Sequence, residues 1–94
     1  MIPLHEPFLI TVTFERKNYV LQGECIYRDH VMEQYKVSTK NSSYLFQCNW
    51  PVFRNRGLKH RKPTWELKEG NLKYRNGKLL IVQAIEAYDK LKPG

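Results

Sequence analysis

The sequence predicts a small α+β domain over residues 1–94, a mainly antiparallel β-meander of five or six strands with one C-terminal helix packed on it. Three observations carry that reading. Apolar residues recur with a period of two in several short runs of the first half. The turns between those runs are too short for the crossovers that parallel strands require. The period then changes to 3.6 near the C-terminus, where an apolar stripe forms on a helix.

Taken in order, Phe8, Ile10, Val12 and Phe14 alternate with Leu9, Thr11 and Thr13, which gives a strand with one strongly apolar face. Glu15-Arg16-Lys17-Asn18 turns the chain, and Tyr19 to Arg28 forms the second strand. Gly23 inside that run marks a bulge or a close packing neighbour. Asp29 and His30 suit the next turn. Tyr35 and Val37 alternate with polar neighbours in a third strand. Lys40-Asn41-Ser42-Ser43 is a turn cluster, and Tyr44, Phe46 and Cys48 alternate in a fourth.

Pro51 ends this pattern, and Pro51 and Pro63 bracket a segment expected to be extended or irregular. Trp65 and Leu67 then share one face of a strand, Glu69-Gly70 turns, and Leu72 and Tyr74 form the return arm of a small hairpin. Asn76-Gly77 reads either as a two-residue hairpin turn or as the N-terminal boundary of a helix. The longer periodicity favours the helix, from about Leu79 to Leu91. Ile81, Ala84, Ile85, Tyr88 and Leu91 form its apolar stripe, and Pro93-Gly94 stops it.

The chain has 94 residues, with 41% hydrophobic and 13% aromatic content. That is too apolar for a disordered chain of this charge, yet near the lower size limit for comfortable independent folding, so a homodimer is compatible with it. No run of about 18 apolar residues spans a membrane. The N-terminus lacks the basic start and uninterrupted apolar region of a secretory signal. A cytoplasmic location is therefore expected, and Cys25 and Cys48 are expected to be reduced and buried.

Catalytic and cofactor patterns are missing. There is no Gly-x-Ser-x-Gly elbow and no phosphate-cradling glycine loop. His5, His30 and His60 stand far apart with no metal-ligand spacing. Glu66/Glu69 and Glu86/Asp89 sit among lysines as solvated surface pairs, without the contrasting environments an acid–base couple needs. The chain reads as a non-enzyme without cofactor or metal.

One segment stands apart. The net charge is +7, and the first 49 residues are neutral, with five bases and five acids. Trp50 to Trp65 holds five Lys/Arg and no acid. Arg54, Arg56, Lys59, His60, Arg61 and Lys62 are the candidate polyanion-binding residues. Trp50, Phe53 and Trp65 are the candidate base-stacking rings. The expected function is a small basic binding module for nucleic acid or another polyanion. An acidic protein is the other charge-complementary partner.

Two competing readings stand beside it. Trp50 and Trp65 pack in the core while the charges form a solvated loop, with arginines paired to Glu15, Glu33 or Glu66. Alternatively, the chain is a protein-interaction or accessory module that uses a strand edge or the exposed helix face and has no nucleic-acid role.

Overall fold

The computed structural model describes residues 2–58, 61–72 and 76–91. Its elements are β1 (Phe8–Phe14), β2 (Lys17–Arg28), β3 (Glu33–Ser38), β4 (Ser43–Cys48), α1 (Trp50–Asn55), β5 (Trp65–Glu69) and α2 (Gly77–Leu91). The five strands form one antiparallel sheet in sequential order, β1-β2-β3-β4-β5. With α2 packed on one face, this is the α+β meander with a C-terminal helix that the alternation predicts.

The helix covers the face lined by Phe8 and Ile10 of β1, Leu21 and Cys25 of β2, Tyr35 and Val37 of β3, Phe46 and Cys48 of β4, and Trp65 of β5, all buried. Ile81, Val82 and Ile85 of α2 are buried against them. Each such aliphatic side chain contributes roughly 1.5–3 kcal/mol on leaving water. Phe8 stacks on Tyr88 of α2 at 4.5 Å and meets the edge of Tyr35 at 6.5 Å. Its ring also lies over Gly23, its cross-strand partner. A Cβ at Gly23 would stand 2.6 Å from Phe8 Cζ, so this glycine marks a close packing neighbour.

The bulge of β2 falls elsewhere, between Cys25 and Tyr27. Strict alternation from Cys25 would turn Arg28 toward solvent. The extra residue, Ile26, reverses the parity and pairs Arg28 with Glu33 on the core face. The first turn is also tighter than the polar cluster suggests. Only Glu15 and Arg16 lie between the strands, with φ of 49° and 66°, the both-positive pattern of a two-residue I′ hairpin.

Cys25 and Cys48 are free thiols. They lie on β2 and β4 with β3 between, which separates them by about 10 Å, beyond the reach of a disulfide.

Two expectations need correction. The Trp50–Trp65 segment is not irregular throughout, since its first part is the helix α1. Pro51, second in the helix, supplies a first-turn residue that needs no N–H. Gly57, at φ 70°, ends the helix in a Schellman arrangement, with Gly57 N–H bonded to Arg54 O and Leu58 N–H to Phe53 O. The second correction concerns the return arm of the small hairpin. Leu72 belongs to no strand and lies beside Gly77, while Tyr74 falls outside the described residues. The helix reading of Asn76-Gly77, by contrast, holds: Asn76 O accepts from Leu80 N, and α2 begins two residues before Leu79.

Candidate functional site

The basic segment is a closed loop between two neighbouring strands. Asn49, after β4, and Thr64, before β5, pin its ends: Thr64 N–H donates to Asn49 Oδ1 at 2.7 Å, and Asn49 N–H to Thr64 O at 3.4 Å. A loop of this length with adjoining ends is an Ω-loop held at its neck. The Asn49 side chain thus ties the loop shut and leaves the start of α1 uncapped.

A buried ionic cluster anchors the first half of the loop. Glu33 is 0% exposed. Its carboxylate accepts from Arg28 Nε on one oxygen and from Arg54 Nη2, at 3.2 Å, on the other. Arg28 also donates to the carbonyl of Ile2, which holds the buried N-terminal residue against the end of β2. Asn55 donates to His30 O at 3.2 Å, so α1 is docked on the β2–β3 turn. That turn is itself tied by Asp29, whose Oδ1 accepts from Val31 and Met32 N–H at 2.8 and 2.9 Å. Hydrogen bonding from the Tyr27 hydroxyl and these amides holds the Asp29 carboxyl below the ordinary carboxylate range.

This cluster sorts the candidate residues. Arg54 is engaged twice, by Glu33 and by the Trp50 ring, whose centroid lies 5.5 Å from its guanidinium carbon. Trp65 is 7% exposed and packs between Tyr35, at 5.5 Å, and Trp50, at 5.8 Å. Trp65 therefore packs within the core cluster. Trp50 is half-buried with Arg54 on its ring. Phe53 is also half-buried and, among the described residues, has neither a ring nor a cation against it. Arg56, Arg61 and Lys62 lie on the surface, and none forms an ion pair among the described residues. Lys59 and His60 lie outside the described residues.

The second half of the loop forms one wall of a groove of about 350 Å³. Lys62 and Pro63 line it from the loop, Trp65 from β5, and Lys78, Leu79, Val82, Gln83 and Glu86 from α2. Its lining therefore combines the apolar Pro63, Trp65, Leu79 and Val82 with one lysine from the loop, one from the helix, Gln83 and the carboxylate of Glu86. The buried indole N–H of Trp65 has no hydrogen-bond partner among the described residues. Partial burial pushes the Glu86 carboxyl above its ordinary value, opposed by the charges of Lys62 and Lys90. Lys78, Leu79, Val82, Gln83 and Glu86 were absent from the sequence-based candidates. Lys78, Val82 and Glu86 follow one another at four-residue spacing along one flank of the helix, which is the signal that would have found them.

Among the described residues, no group of three or more His, Cys, Asp or Glu side chains comes together in a metal-binding arrangement. No helix among them is long and apolar enough to cross a membrane. Comparison of the chain with protein-family models, with curated proteins and with solved structures finds no match in any of the three.

Proposed function

We propose that this chain is a small basic binding module that holds single-stranded nucleic acid, or a polyanion of similar charge spacing, through Arg56, Arg61 and Lys62 of the loop and into the groove beside α2. One observation carries the reading: Lys62 and Lys78, from different elements, converge on a groove that Pro63, Trp65, Leu79 and Val82 line between them, with Gln83 and Glu86 on its helix side. Cations over an apolar floor suit a ligand with both phosphates and flat bases, whereas a purely solvated charge loop needs no such floor. Arg56 and Arg61, exposed on the same loop, would add to the cationic surface, and Phe53 is the stacking candidate that neither Arg54 nor another described ring engages. Arg54 serves the Glu33 cluster and holds the loop rather than the ligand.

A salt titration with labelled single- and double-stranded oligonucleotides tests the proposal. Three or four phosphate contacts give a slope of log K against log salt of about −2 to −3 on a single strand. Replacing Arg56, Arg61, Lys62 and Lys78 together by Glu should lower affinity by about 100-fold or more at low salt, with the circular dichroism unchanged. No binding at low salt, or binding indifferent to the four reversals, would sink the proposal.

A further inference from the structure

The geometry points to a second copy of this chain as the partner of β1, joined edge to edge through Leu9, Thr11 and Thr13 into one continuous antiparallel sheet. The argument begins with the hairpin. In a two-residue turn the flanking residues form a hydrogen-bonded pair, here Phe14 with Lys17. Bonding then alternates, so Val12, Ile10 and Phe8 bond to β2 while Thr13, Thr11 and Leu9 direct their N–H and C=O groups to the outer edge. No described strand pairs with that edge, and among the described residues no backbone hydrogen bond from Leu9, Thr11 or Thr13 reaches another segment.

Sheet edges are ordinarily protected by charge, proline or brevity. The opposite edge, β5, follows that rule, with five residues and an ion pair of 2.8 Å between Glu66 and Lys68. β1 does not. Its seven residues, Phe-Leu-Ile-Thr-Val-Thr-Phe, contain no charge and no proline. A two-fold interface also demands that the strand match itself reversed, and this strand does so about Thr11. Phe8 then falls opposite Phe14 of the second copy, Ile10 opposite Val12, and Thr11 opposite Thr11. These are aromatic, β-branched and threonine pairs, the combinations that stabilise neighbouring strands. Centring on Thr11 also pairs every outward-facing residue, Leu9 with Thr13 and Thr11 with itself, for about six new backbone hydrogen bonds.

Two further features agree with this arrangement. Leu9 and Val20 are 66% and 62% exposed on the uncovered face beside the edge, where a second copy would extend the sheet over apolar surface. On α2, the flank turned away from the Lys62–Lys78 groove carries Leu80, Ala84 and Ala87, small or apolar and uncharged. The two-fold axis stands perpendicular to the sheet, so both helices lie on one face with these flanks inward and the two basic grooves outward. The surface is therefore distinct from the groove, and neither reading depends on the other.

The test uses the whole chain without nucleic acid. Sedimentation should give twice the monomer mass as concentration rises over about 1–500 μM. Thr11→Lys and Thr11→Pro should both return the monomer with unchanged circular dichroism, because the Thr11 N–H bonds to nothing among the described residues. The register is tested by mild oxidation. Thr11→Cys faces itself across the two-fold at about 5.5 Å between Cα atoms and should cross-link rapidly, whereas Thr13→Cys faces Leu9 and should not. A monomer at every concentration, a dimer that survives both Thr11 substitutions, or equal cross-linking at the two positions would overturn the proposal.

Discussion

At the scale of residues, the buried carboxylate of Glu33 has the largest consequence for its size. It stands where the N-terminal segment, the end of β2, the start of β3 and the helix α1 meet. A charge taken fully out of water is tolerated because two guanidinium groups bond its two oxygens. Glu33→Ala leaves Arg28 and Arg54 facing each other without their anion and should cost about 3–5 kcal/mol, read as a lowered urea midpoint. A loss below about 1 kcal/mol would mean that the cluster behaves as an ordinary surface pair. Arg54 also shows how a charge that is plain in the chain can have a partner that is not. Its charge was visible in the chain, but its partner lies 21 positions away on another strand.

At the scale of elements, the first four strands and α2 were legible because each is a local period written in consecutive residues. The hairpin at Glu15-Arg16 was less so, since neither residue is the Gly or Asn that a turn with two positive φ angles favours. The helix α1 was legible in principle: Pro51 near its start and Gly57 just past its end form the usual asymmetric pair of helix boundaries. Six residues of helix carry too little periodicity to outweigh two prolines and a run of charge. The bulge at Ile26 was invisible, because one extra residue in a strand leaves no compositional mark. It nevertheless decides that Arg28 reaches Glu33. The groove escaped for a related reason, in that its two walls come from segments separated by the whole of β5. Lys62 was singled out as a candidate, while Lys78 looked like one more surface lysine until the helix brought it alongside.

At the scale of the whole molecule, a one-sided core sets both the pH response and the division of surfaces. Burial pushes the Cys48 thiol up to about 12 and also raises Cys25 and Tyr35. The folded chain keeps these protons at pH values where the unfolded chain has released them. Stability is therefore full below the ordinary thiol value of 9.0 and declines as pH rises toward 12. Urea midpoints should be lower at pH 10.5 than at pH 7.5, and a flat profile would contradict the enclosure of these groups. Around this core, the loop and α2 present cations on one flank of the molecule, and the bare edge of β1 lies on the other. The central claim is that anions bind on the first flank. It is tested most directly by following the backbone and indole N–H resonances of the uniformly labelled chain as a single-stranded oligonucleotide is added. The account predicts saturable shifts gathered at Arg61, Lys62, the Trp65 indole, Lys78 and Glu86. Shifts gathered instead on the uncovered sheet face around Gln22, Lys36 and Gln47, or no saturable shift at all, would contradict it.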